Sequence, residues 1–347
     1  MLKLTSLAVL TGVALCAAGV AANARDLSVV SWGGVYQDAQ EKVFFKPFRD
    51  KTGIKLAVES WDGGVGVLRA KVQGGSSNWD VVQVESEELA LGCEEGLFEK
   101  LDWSKLGGKD RYLPAAVGEC GVGAILYDFN LAYDGDKLKD GPKSWADFFD
   151  LKKFPGKRAF RQGPKTTLEI ALMADGVPPS QVYDVLKTEA GVDRAFKKLD
   201  TIKDQIIFWK AGAQPSQLLA SGEVAMTVAY NGRISAANAL DKRNFKLVWN
   251  QALYTLDSLV ILKGSPNLSA AYTYLDFVGQ AEYQKDLPNY IAYGVTNASV
   301  NALISPKILA ELPTNPANMA NVVHIDDQFW LENIDRVNER FNKWAAK

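Results

Sequence analysis

Histidine is almost missing from this 347-residue chain: His324 is the only one. No His/Cys cluster therefore offers zinc or copper spacing, and no metal or cofactor is expected. There is also no G-x-S-x-G elbow, so a Ser-His-Asp hydrolase is disfavoured and the chain reads as a non-enzyme. Charge of one sign is not in excess, with 39 Lys and Arg against 41 Asp and Glu. The basic face that nucleic acid requires is lacking. Long hydrophobic runs are absent except near the start. There, Lys3 precedes the apolar stretch from Leu7 to Val20, and Ala22-Asn23-Ala24 follows. That order is a signal peptide with an A-x-A cleavage site, so residues 1–24 are expected to be removed, export to the periplasm follows, and the mature chain begins at Arg25. Cys16 raises a lipoprotein signal, against which stands Leu15, where a small residue is expected. Cysteine is scarce as well. Without the leader only Cys93 and Cys120 remain, and an even pair in an exported chain reads as a disulfide, with two buried thiols as the alternative.

What is present is an alternation of strands and helices. Residues 27–32 form an apolar strand ending at Trp32-Gly33-Gly34, and helical spacing from Tyr36 runs to about Asp50. A second strand, 54–59, leads to Trp61-Asp62-Gly63-Gly64 and a helix, and a third, 80–84, ends at Glu85-Ser86. Such alternation implies right-handed crossovers and a parallel sheet, with ligands bound outside the carboxyl ends of its strands. Those ends bring aromatic rings, glycine loops and an acid to one crevice. A second unit begins near Tyr133, with Ser144 as a helix cap, helices over 166–174, 179–199, 270–278 and 329–344, and strands over 223–230, 246–249 and 258–262. No internal repeat or low-complexity tract interrupts it.

The order and spacing of short motifs resemble the spermidine/putrescine-type periplasmic solute-binding proteins of bacterial ABC importers. The stretches that carry the resemblance are Val30-Ser31-Trp32-Gly33, Thr52-Gly53-Ile54-Lys55, Trp79-Asp80-Val81-Val82, Glu95-Gly96-Leu97 and Ser144-Trp145-Ala146-Asp147. Phe154-Pro155-Gly156-Lys157-Arg158, Ser221-Gly222-Glu223-Val224, Tyr230-Asn231-Gly232 and Leu256-Asp257-Ser258 continue the series. The resemblance implies an α/β, two-lobed periplasmic binding protein fold of type II-like topology. Each lobe is a mainly parallel sheet flanked by helices, with hinge strands between. By analogy residues 26–132 plus 262–300 make one lobe, and 133–261 plus 301–347 the other. It also implies a monomer that captures a small solute between the lobes and delivers it to an inner-membrane ABC permease.

Carried over position by position, the resemblance sets Trp32 against the ligand's methylene chain, beside Gly33, and pairs Asp257 with a ligand amine. A tryptophan face also attracts an ammonium by about 0.5–2 kcal/mol. Tyr36 is offset by one from a family tyrosine. The segment Arg161-Gln162-Gly163-Pro164-Lys165-Thr166 lacks the further acids of polyamine receptors, the acidic positions falling at Gln162 or Gly163 and at Thr166. Arg233 follows Tyr230-Asn231-Gly232, and a guanidinium fork suits a carboxylate. Asp257 with Arg233, and Arg161 nearby, would hold the two ends of a zwitterion, so a 4-aminobutyrate-like ω-amino acid is expected. An inter-lobe salt bridge is the competing role for Arg233. Tyr127, Tyr230, Tyr254 and Tyr293 offer hydroxyls and ring walls, and Trp330 comes from the C-terminal segment.

Three other readings stay open. Glu85 supplies a second acid if the ligand is putrescine or spermidine. Gly64 and Gly66 near a helix start leave room for an organic acid or aminophosphonate. A periplasmic hydrolase is the remotest, because Glu87 and Glu88 read as first-turn helix charges and not as a carboxylate pair across a cleft. An iron receptor of the same architecture would show adjacent tyrosines, and the chain has no Tyr-Tyr pair.

Overall fold

The structure, a computed structural model, describes residues 25–74 and 78–346. The expected leader 1–24, its cleavage site and Cys16 lie outside the described residues.

Ten strands join in one sheet: β1 Leu27–Ser31, β2 Leu56–Ser60, β3 Val81–Val84, β4 Gly121–Asp134, β5 Arg158–Arg161, β6 Ile206–Trp209, β7 Met226–Tyr230, β8 Phe245–Ile261, β9 Gly294–Val295 and β10 Val323–His324. The spatial order is β2-β1-β3-β8-β4-β7-β5-β6, with β9 on β4 and β10 on β8. At one end β1 pairs in parallel with β2 and β3, and at the other β5 pairs in parallel with β6 and β7. The apolar runs of β1 and β3 are buried along their whole length, as helices on both faces of a parallel sheet demand.

The two parallel triplets are joined by β4 and β8, which run antiparallel from Gly121 opposite Val260 to Asp134 opposite Phe245. The end of β8 pairs with β3, while the far half of β4 pairs with β7. β8 thus adjoins the first triplet and β4 the second, and their pairing links the two, crossing near Ile125–Phe129 and Leu253–Asp257. This is the two-lobed, mixed α/β architecture with crossing strands that the motif order implies.

Three local readings differ from the structure. The separate strands 246–249 and 258–262 are one strand, β8. Its apolar pattern breaks because it kinks at Gln251, which has φ 63°. β4 has no counterpart in the sequence reading. Glycines thin its pattern: a Cβ on Gly123 would stand 2.5 Å from that of Ala116, so close packing removes the side chain that would have signalled a strand. The helix expected over 179–199 is a turn at Pro179–Gln181 and two helices, Val182–Leu186 and Glu189–Asp200. Thr188 restarts the second by accepting a hydrogen bond from the Gly191 amide at 3.0 Å. The Ser144 cap forms as expected, accepting from the Asp147 amide.

Cys93 and Cys120 are disulfide-bonded, with Cα atoms 5.7 Å apart. The bridge ties the end of helix Ser86–Glu94 to the residue before β4. Across a sequence separation of 27, the chain-entropy account assigns it about 3–4 kcal/mol. Replacing both cysteines by serine is expected to lower the melting temperature by several degrees, measured by calorimetry. An unchanged midpoint would show that the unfolded chain is already constrained without the bridge.

Candidate functional site

The cavity at the strand crossing is lined from both sheet ends. From the first come Trp32, Tyr36, Trp61, Asp62 and Glu85; from the second come Arg161, Lys210, Gly212, Tyr230 and Arg233. The crossing strands and the loop before β9 supply Ile125, Tyr127, Asp257 and Tyr293. The centres of water-sized molecules can occupy about 50 Å³ of it, room for a compact ligand of a few non-hydrogen atoms.

Asp257 lies on the crossing segment of β8, 3% exposed. Its Oδ2 accepts from the Trp32 indole at 2.6 Å and from the Gln83 amide at 3.0 Å. The orientation of Gln83 is fixed from behind: its Oε1 accepts from the Tyr36 hydroxyl at 3.0 Å and the Gln40 amide at 3.0 Å, which leaves its NH₂ for Asp257. Asp257 Oδ1 and the Tyr127 hydroxyl are buried without a well-formed hydrogen bond, although the hydroxyl stands near enough to favour the charged form of Asp257. Burial, then the neighbouring Glu85 charge, pushes the Asp257 carboxyl up to about 8. A buried carboxyl with one oxygen satisfied and the other open is a site for a cation.

Arg233 stands in the first turn of helix Asn231–Asp241, 6% exposed. Its two terminal nitrogens donate to the Trp32 and Gly33 carbonyls, each at 3.2 Å. Its Nε is buried without a partner, and among the described residues no carboxylate pairs with it. Arg233 thus reaches across the cleft by hydrogen bonds to backbone, not by a salt bridge. Its approach explains Gly34, which has φ 56° and where a Cβ would stand 2.8 Å from Nη1.

Glu85 and Arg161 meet across the cleft, Nη1 to Oε2 at 2.9 Å. The other Glu85 oxygen accepts from the Tyr230 hydroxyl at 3.4 Å. Lys165 is bonded to Glu87 and stands 4.0 Å from Glu85. The aromatic floor is built by Trp32 stacked on Trp61, ring centres 5.3 Å apart, and by Tyr127 set edge-on to Tyr230 and Tyr293.

Of the residues named from sequence, Trp32, Glu85, Arg161, Tyr230, Arg233, Asp257 and Tyr293 line this cavity, and Gly33 contributes its carbonyl to Arg233. Thr166, Tyr254 and Trp330 do not line it. Thr166 is buried at the start of helix Thr167–Ala174. Tyr254 packs on His324, ring centres 4.7 Å apart, and, three residues from Asp257 on β8, lies on the face of the strand opposite to it. The Trp330 indole is bonded to Glu169 at 2.8 Å. Lys210 and Gly212 had no signal in the sequence: they sit on a loop after β6, a strand that the apolar pattern did not reveal.

Residues 44–320 match the family of bacterial extracellular solute-binding proteins. The chain belongs to that family. It is 43% identical over 333 residues to the gamma-aminobutyric acid-binding protein of Pseudomonas aeruginosa, covering 95% of this chain and 94% of that one. The putrescine-binding periplasmic protein of Pseudomonas aeruginosa is 26% identical over 315 residues, 83% of each chain. A solved GABA receptor superposes with a TM-score of 0.81 at 37% identity, covering 93% of this chain and 98% of that one. Members of this family bind solutes. Among the described residues no helix is long and apolar enough to cross a membrane.

Asp257, Glu88 and Asp128, the last on β4 at the crossing, all have carboxyls pushed up to about 8, chiefly by burial. The ordinary range is about 4. Between these values the folded chain keeps protons on these three groups that the unfolded chain has released, so their contribution to stability falls as pH rises from about 4 towards 8. Asp257→Asn removes one such group. It is expected to raise the melting temperature at pH 8 and leave it nearly unchanged at pH 4; equal shifts at both would contradict a raised Asp257 pKa.

Proposed function

We propose that this chain is the periplasmic receptor of an ABC importer and that its ligand is a short ω-amino acid of the 4-aminobutyrate class. The observation that carries the reading is a trio of buried, unpartnered polar atoms on one small cavity: Asp257 Oδ1, Tyr127 Oη and Arg233 Nε. An ammonium donates to the acid and to the tyrosine oxygen. A carboxylate satisfies the guanidinium. The Trp32 and Tyr293 rings cover the methylenes between them. The similarity to a gamma-aminobutyric acid-binding protein supports the same ligand class.

A diamine is less well served. It needs a second open acid, and both oxygens of Glu85 are already engaged by Arg161 and Tyr230. A free organic acid would satisfy Arg233 and leave Asp257 unpaired. The cavity lining has no histidine, cysteine or serine and so no Ser-His or Cys-His pair. The leader-like N-terminus supports export, and capture of solute for a membrane permease as a monomer follows from the receptor reading.

The cross-cleft contacts of Arg233, Arg161 and Lys165 are those of a closed form, and ligand is the added link that favours closure. Calorimetric titration of the mature protein is expected to give one-to-one binding of 4-aminobutyrate and none of putrescine at the same concentrations. Arg233→Ala should weaken binding by about 30-fold or more, since losing one partner of a buried charge pair costs about 2–5 kcal/mol. Retained affinity would remove Arg233 from the site. At pH 7 Asp257 is mostly protonated, its carboxyl being at about 8, and an ammonium demands the ionised form. Binding should therefore release close to one proton, read from the heat in buffers of different ionisation enthalpy, and affinity should rise as pH goes from 6 to 8. A heat independent of buffer would contradict pairing of Asp257 with a cation.

A further inference from the structure

Besides the exposed Asp62 at its mouth, the cavity contains two buried acids, yet only one of these is open. Asp257 keeps an unpartnered oxygen, whereas Glu85, 5% exposed, gives Oε2 to Arg161 at 2.9 Å and Oε1 to Tyr230 at 3.4 Å. Arg161 comes from the opposite side of the cleft, at the end of β5, so its guanidinium enters the cavity as a ligand's cationic group would. In the ligand-bound state, where Asp257 is ionised, Asp257 and Glu85 are negative and Arg161 and Arg233 positive, so the formal charge of these four groups sums to zero, which matches a zwitterion. Take Arg161 away and the same lining carries one net negative charge and a second open acid.

We infer that Arg161 is the specificity-determining residue of the site: it is a built-in substitute for a second ligand cation, and by occupying Glu85 it excludes diamines and diamino acids that the cavity would otherwise take. The inference rests on the zwitterion reading above and deepens it. Lys165 stands behind Arg161, 4.0 Å from the same Glu85 oxygen but bonded to Glu87. Among the described residues it is, besides Arg161, the cation within 4.0 Å of Glu85, and so is placed to cover Glu85 if Arg161 were lost.

Space is also available. Arg161 borders both the ligand cavity and a larger neighbouring one of about 420 Å³, lined by Gly63, Glu87, Lys165 and Asn338 among others. Shortening residue 161 therefore opens the small cavity at the Glu85 side, where the second cationic group would lie. Discrimination by an already-neutralised acid is discrimination through an unfavourable competitor state, which acts on unwanted ligands without adding a contact to the wanted one.

The test uses Arg161→Met and the pair Arg161→Met/Lys165→Met, with wild type as reference, titrated with 4-aminobutyrate, putrescine and ornithine. Circular dichroism and thermal unfolding first establish that each variant folds, and Arg161→Gln replaces the methionine variant if that one does not. The expected result is at least a ten-fold gain in affinity for putrescine or ornithine in one of the variants, lost again when Glu85→Gln is added. No gain in any folded variant overturns the inference, as does wild-type protein that already binds putrescine. Failure of wild type to bind 4-aminobutyrate would instead sink the zwitterion reading, while a Glu85-dependent gain of diamine binding would still uphold the role of Arg161.

Discussion

A carboxyl held out of water on a crossing strand is the constraint around which this molecule is organised. Asp257 occupies the stretch of β8 where the chain passes from one parallel triplet to the other, and two donors hold one of its oxygens while the second faces the cavity. Burial penalises its charged form, and burial is strongest when the cleft is shut. An incoming ammonium removes that penalty. Closure and binding are thus coupled through one group: the closed form without ligand carries an unsatisfied acid, and the closed form with ligand does not.

The same logic explains why the hydrogen-bond network behind Asp257 is so fully connected. Ser31, Gln40, Tyr36 and Gln83 form a chain of bonds whose last member must present its NH₂ to Asp257. Each buried group in that chain has its partner, so the amide of Gln83 cannot turn without leaving two acceptors or donors unmatched. Buried polar atoms without a partner also occur elsewhere, as at Asp128 and Glu169, but at the cavity three of them face one small space. Arg233 repeats the pattern on the other side: two of its nitrogens are spent on the backbone of β1's end, and the third is left to the cavity.

How much of this was readable beforehand follows from where each residue sits. Trp32 and Glu85 were legible because they end strands β1 and β3, whose continuous apolar runs mark a parallel sheet and whose carboxyl ends mark the crevice. Asp257 and Arg233 became legible through the motif order, not through periodicity. β4 escaped notice because close packing at Gly123 thins its pattern, and with it went the reason to place Tyr127 at the crossing. Tyr254 and Trp330 were placed at the cavity by carry-over from the family resemblance, and the structure puts neither in its lining. A strand alternates its faces, and two residues from the same strand point alike only at even separations; Tyr254 and Asp257 are three apart. Trp330 instead fills the second unit, where its indole meets Glu169. The partnership of Arg161 with Glu85 joins positions 76 residues apart, which no local pattern reveals.

A crystal structure of the mature protein with 4-aminobutyrate is the most direct test of the central claim. The account predicts the ammonium within hydrogen-bond distance of Asp257 Oδ1 and the carboxylate against Arg233 Nε, with the Glu85–Arg161 pair intact. A ligand bound in the reverse sense, or bound without touching Asp257, would contradict it.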